Sequence, residues 1–92
     1  MKLRQEKRHK LQLFYEILCA IEEDTAHNAI AKPTHVQHFT RLSYDKMMNH
    51  FDELEEKSMI HRVSGMIAIT NKGKMFIEQY DQLISLIESA GL

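Results

Sequence analysis

The stretch that decides the fold is Arg62–Tyr80, RVSGMIAITNKGKMFIEQY. Ser64-Gly65 separates two short apolar, β-branched runs, Met59–Val63 and Met66–Thr70. A two-residue tip containing glycine fits a tight hairpin, because glycine tolerates the positive φ that such turns need. Directly behind the hairpin, Thr70 can cap a helix by accepting an orphan backbone N–H. The apolar spacing beyond it predicts a helix from Asn71 to about Ser89.

Upstream of the hairpin the pattern is helical. Tyr44, Met47, Met48, Phe51 and Leu54 fall on one side of a helix that Ser43 can cap and that runs to about Lys57. Before it, Thr34 is positioned to cap a short helix with Val36 and Phe39 facing inward. Pro33 biases Lys32 toward an extended backbone. Two helices joined by a turn as short as Thr40-Arg41-Leu42 must cross steeply, which is a helix-turn-helix. Leu11, Phe14, Leu18 and Ile21, widened by Leu13 and Ile17, predict a first helix from about Gln5 to Glu23. The order is helix, helix-turn-helix, hairpin, helix. It defines a mainly α winged helix-turn-helix with a small β-hairpin as its wing and an extended C-terminal helix.

The segments THVQHFTRLSYDKMMNHFDELEEKSMI (Thr34–Ile60) and IAITNKGKMFIEQY (Ile67–Tyr80) also resemble a family, the small archaeal winged-helix regulators that dimerise through a coiled-coil tail. The resemblance rests on Leu42-Ser43-Tyr44 opening the recognition helix, on Leu54 leading to Met59-Ile60, and on Thr70, Gly73 and Phe76 after the wing. It spans about residues 10–90. It implies transcription regulation through double-stranded DNA, with C-terminal helices paired as an antiparallel coiled coil. The sequence departs from that pattern at Ser58, where a glycine usually ends the helix in a left-handed turn.

Bulk properties narrow the class. The chain has 92 residues, 43% hydrophobic and 27% charged, an ordinary globular composition read as one domain over 1–92. A domain this small buries only about 60–65% of its unfolded surface, so a partner copy would help. Net charge is −1, yet the first ten residues carry five basic side chains against one acid, +4, leaving −5 for the remaining 82. A single cysteine, Cys19, forms no internal disulfide and points to a reducing, cytoplasmic setting. No apolar run is long enough for a membrane span, and the start does not read as a signal peptide.

Candidate site residues follow from the helix-turn-helix. The first half of a recognition helix normally enters the major groove. There Asp45, Lys46 and Asn49 face outward, with Lys suited to guanine and Asn to adenine. Phosphate contacts require basic side chains. The candidates are Lys2, Arg4, Lys7, Arg8 and Lys10 at the N-terminus, Arg41 in the turn, His50 on the flank and Arg62 in the wing. Lys32, Lys72 and Lys74 are further ones. The later half of the helix, DELEEK, is acidic, and the wing tip has no Lys or Arg. Those two features leave room for a second reading, a winged-helix protein-interaction module that does not bind DNA.

Other chemistries have little support. His35 and His38 lie three apart, but no Cys, Asp or Glu neighbours them at a metal-binding spacing, so neither a metal nor a cofactor is expected. Cys19 reads as a packing residue. No glycine-rich phosphate loop, no paired carboxylates in an apolar setting and no Ser/His/Asp set can be placed, so the chain does not read as an enzyme, and no small-molecule ligand is evident. The C-terminal segment 71–90 carries the seam Phe76, Tyr80, Leu83, Ile87, spaced four, three and four and widened by Ile77 and Ile84. That spacing predicts a homodimer interface.

Overall fold

The computed structural model describes residues 9–91. Its elements are α1 (Lys10–Asn28), α2 (Pro33–Thr40), α3 (Tyr44–Glu56), β1 (Ile60–Val63), β2 (Met66–Ile69) and α4 (Asn71–Ser89). This is the winged helix-turn-helix order with a C-terminal helix. Phe14, Ile17, Leu18 and Ile21 of α1, Val36 of α2, Met47, Phe51 and Leu54 of α3, Ile60 and Ile67 of the hairpin and Ile77 of α4 form one buried core.

The hairpin turns through Ser64 and Gly65, with φ of 52° and 77°. Two consecutive positive φ values match the twist of the flanking strands. The register pairs Ile60 with Ile69, His61 with Ala68, Arg62 with Ile67 and Val63 with Met66. Because side chains alternate across a strand, Ile60, Arg62, Ile67 and Ile69 share the inner face. His61, Val63, Met66 and Ala68 form the exposed outer face. Ala31, between α1 and α2, bridges the other edge of β2, accepting from the Ile67 amide at 3.0 Å.

Thr70 and Gly73 lock α4 to the hairpin. The Thr70 hydroxyl donates to the Ser58 carbonyl at 2.6 Å and accepts from the Gly73 amide at 3.1 Å. The Thr70 amide donates to the Met59 carbonyl at 3.0 Å. A Cβ on Gly73 would lie 2.4 Å from that same Met59 oxygen and 2.7 Å from Ile69 Cγ1, so only glycine fits.

Several expected boundaries move. α1 runs on to Asn28 instead of stopping at Glu23, because nothing in Asp24–Asn28 breaks a helix and Ala29, at φ 70°, closes it with a bond to the Thr25 carbonyl. Its expected start at Gln5 lies outside the described residues. α2 is opened by Pro33 at its first position, with Lys32 and not Thr34 as the N-cap. Proline's fixed φ suits that place. Phe39 was expected inside and is 56% exposed. The inward pair is instead Val36 and Thr40, whose hydroxyl donates to the Val36 carbonyl at 2.8 Å and so satisfies a buried polar group. Tyr44, also expected inside, is 50% exposed in the uncovered first turn of α3. β1 starts at Ile60, not Met59, because the Met59 amide still closes α3 by donating to the Leu54 carbonyl.

Candidate nucleic-acid interface

Ser43 starts α3 as the sequence predicts: its backbone is extended and its hydroxyl accepts from the Lys46 amide at 3.3 Å. Met47, Phe51 and Leu54 point inward and are fully buried. That stripe turns Asp45, Lys46 and Asn49 to solvent. Arg41 ends α2 in the left-handed region, φ 60°, with its amide bonded to the Gln37 carbonyl and its side chain exposed. Among the described residues, the side chains of Arg41, Asp45, Lys46 and Asn49 make no hydrogen bond or ion pair. They are grouped at the turn and in the first half of α3, where they are available to a ligand.

The second half of α3 differs. Glu53 accepts from Lys10 Nζ at 2.6 Å and faces His50 Nδ1 at 3.1 Å. The Lys10 bond and, behind it, the His50 bond outweigh burial and hold the Glu53 carboxyl below its ordinary value. Arg62 donates through Nε and Nη2 to Glu55, at 3.1 and 2.6 Å, and through Nη2 to Asp52 at 2.6 Å. Those acids raise its already high pKa further. Three phosphate candidates from the sequence, Lys10, His50 and Arg62, are thus engaged by carboxylates of α3. Lys2, Arg4, Lys7 and Arg8 lie outside the described residues.

The seam on α4 divides in two. Phe76 packs against the chain's own core. Tyr80 stacks on Tyr15 of α1, with ring centroids 4.4 Å apart, while the Tyr15 hydroxyl donates to Asp81. That bond raises the Tyr15 pKa. From Asp81 to Gly91 every side chain except the half-buried Ile87 is exposed, Leu83 and Ile84 included. Burial pushes the Cys19 thiol up, which leaves it a poor nucleophile at neutral pH.

One buried site has no counterpart in the sequence reading. Asp24, 2% exposed, accepts from the Lys32 amide at 2.9 Å and the Asn28 side chain at 2.6 Å, and meets His35 Nδ1 at 2.9 Å. Burial alone would push its carboxyl up; the three donors prevail and hold it below its ordinary value. The spacing Asp24-x-x-x-Asn28 on one helix, followed by a half-buried His35 opposite, is a weak signal that only the α1–α2 crossing makes specific. His27, His35 and His38 line the same hollow with Glu23 and Phe39. Among the described residues no His, Cys, Asp or Glu group is placed to hold a metal ion. No helix among them is long and apolar enough to cross a membrane.

An antiparallel wing behind two helices joined by a three-residue turn, with an exposed helix start, defines a class of nucleic-acid-binding folds. A winged helix-turn-helix family model matches residues 7–88, nearly the whole chain. The chain therefore belongs to the winged helix-turn-helix family, a fold whose general use is binding DNA in regulators and which is typically not enzymatic. No curated protein matches it.

Proposed function

We propose that this chain is a cytoplasmic transcription regulator that binds double-stranded DNA selectively as a homodimer. The observation that carries the reading is the first half of α3. Lys46, Asn49 and Asp45 stand exposed and uncommitted on a helix whose opposite side is fully buried, next to Arg41 in the turn. Lys46 and Asn49 serve as base readers, Asp45 accepts from an amino group of a base, and Arg41 with the basic N-terminus holds phosphates. Two copies joined through α4 would offer two such helices to successive major grooves. The resemblance to dimeric, coiled-coil-tailed regulators supports that arrangement.

A selection from random duplex DNA at low and moderate salt tests this. An enriched, two-fold-symmetric site is the expected result. Binding that shows no sequence preference and vanishes at moderate salt would reduce the reading to charge attraction. The second reading, a protein-interaction module, has its own observation. The outer face of the wing carries Val63, 66% exposed, and Met66, 38% exposed, with no Lys or Arg. Failure to retain any duplex at low salt would favour it.

A further inference from the structure

We propose that the acidic half of α3 withholds Arg62 from DNA, so that the recognition helix carries its own competitor for phosphate and keeps affinity low. This inference rests on the DNA-binding reading above and states how that site is restrained.

Three observations converge on it. The first is register: Arg62 pairs with Ile67 on the inner face of the hairpin, so the strand itself directs the side chain toward α3 and away from the outer face. The second is chemistry. A guanidinium matches a carboxylate or a phosphate through the same forked geometry. Here Glu55 takes Nε and Nη2, and Asp52 takes Nη2 again. Two carboxylates against one guanidinium leave the cluster at −1, which repels a phosphate where a basic wing root would attract one. The third is repetition: on the same helix Glu53 engages Lys10 and His50 in the same manner. Lys10 and Arg62, beside the second half of α3, are answered by its acids, while Lys46 in the first half is not.

The clamp can open. Asp52 and Glu55 are 68% and 41% exposed, and Arg62 is 24% exposed. Ion pairs in such settings are weak and exchangeable. Neutralising the carboxylates therefore frees Arg62 for a phosphate without removing any bulk from the helix–wing contact.

The test measures duplex binding by the full chain across a salt series, for the native chain, D52N/E55Q, R62Q and the combination of all three. D52N/E55Q is expected to tighten binding by up to about fivefold, the worth of one exposed pair. It should also steepen log K against log salt by about 0.9 for each Arg62 that reaches a phosphate. R62Q in the native background leaves both carboxylates unanswered, so it is expected to weaken binding slightly while leaving the slope unchanged. Added to D52N/E55Q, it should erase the gain. E56Q, which removes one acid that accepts no bond from Arg62, shows what a single unit of net charge does by itself, and it should leave the slope alone. Should D52N/E55Q fail to fold, E55Q by itself should show a smaller gain of the same kind.

A slope flattened by R62Q alone would place Arg62 on DNA already and overturn the inference. So would a D52N/E55Q gain that survives loss of Arg62. Native binding left unmoved by D52N/E55Q defeats this inference alone. No binding by native or variant chain defeats it together with the DNA-binding reading. Binding by D52N/E55Q but not by the native chain supports it.

Discussion

Asp24 illustrates how one side chain fixes the angle between two helices. Its oxygens gather the Lys32 amide from the entry to α2, the Asn28 amide from the end of α1 and the His35 ring from α2 itself. Asp24→Ala strands those donors and is expected to cost about 1–3 kcal/mol, read as a lowered denaturation midpoint. The pH sign follows from the depressed carboxyl. Its stabilisation is complete above the ordinary carboxylate value of about 3.9 and is lost as pH falls through the lower folded value. Melting curves below pH 4 should therefore fall more steeply for the native chain than for Asp24→Asn. Glu53 has the same sign and is common to both, so it does not affect the comparison. Backbone strain gives a second residue-scale expectation. Ser58 sits at φ 63°, where an L residue is disfavoured. Ser58→Gly should stabilise by about 1 kcal/mol, or roughly 4–8 °C in Tm for a domain this size. Gly73→Ala goes the other way. Its methyl meets the Met59 carbonyl at 2.4 Å, and a backbone oxygen cannot step aside cheaply. A loss of about 1–3 kcal/mol is expected in the same denaturation assay.

Among the elements, those with strong local signals are legible in the sequence alone. The hairpin tip, the Thr70 cap and the span of α4 needed only turn chemistry, a cap and a period. The α3 stripe was legible too, except at its first turn, because periodicity gives the direction a side chain faces and not whether a neighbour reaches it. Tyr44 and Phe39 fail for that reason: each sits on a plausible stripe at a helix end that nothing covers. Arg62 is the instructive case at the candidate site. The register that puts Ile60, Arg62, Ile67 and Ile69 on one face turns it inward, whereas a basic residue in a wing reads from the sequence as a phosphate contact. What no pattern could supply were the pairs that depend on two crossing elements, Arg62 with Asp52 and Glu55, and Asp24 with His35. For α3 itself the expected readout is specific. Asn49→Ala should cost about 1–3 kcal/mol on the best duplex and relax preference at one base position, with little change on random DNA. Equal losses on both would remove Asn49 from the base readers.

On the scale of the whole molecule, α4 is longer than the fold around it requires. The molecule measures 44 Å in its longest direction against 28 and 25 Å, and a 19-residue helix alone spans about 28 Å. Only Gly73 and Ile77 of α4 are buried, with Phe76, Tyr80 and Ile87 partly covered. The stack of Tyr80 on Tyr15, with the hydrogen bond from Tyr15 to the neighbouring Asp81, anchors this stretch to α1. Beyond it Leu83, Ile84 and Leu86 are 52%, 38% and 66% exposed, and Leu11, one turn before Tyr15 on α1, is 47% exposed. α1 and α4 run antiparallel, since Thr25 shares a hollow with Lys74 at one end while Tyr15 meets Asp81 at the other. Leu11 therefore extends the same apolar face. Each large aliphatic gains about 1.5–3 kcal/mol on full burial, so a second copy covering this face would repay the ordering of both helices. The expected outcome is a dimer in sedimentation or light scattering at tens of micromolar. Leu83→Asp with Ile87→Asp should give a monomer. Because neither residue belongs to the protomer's buried core, circular dichroism of that variant should retain its helices. Its affinity for a two-fold-symmetric duplex should fall steeply, whereas affinity for an isolated half-site should fall little. A native chain that sediments as a monomer at that concentration would refute the pairing, and the two-fold site expected in the selection would then have no structural basis.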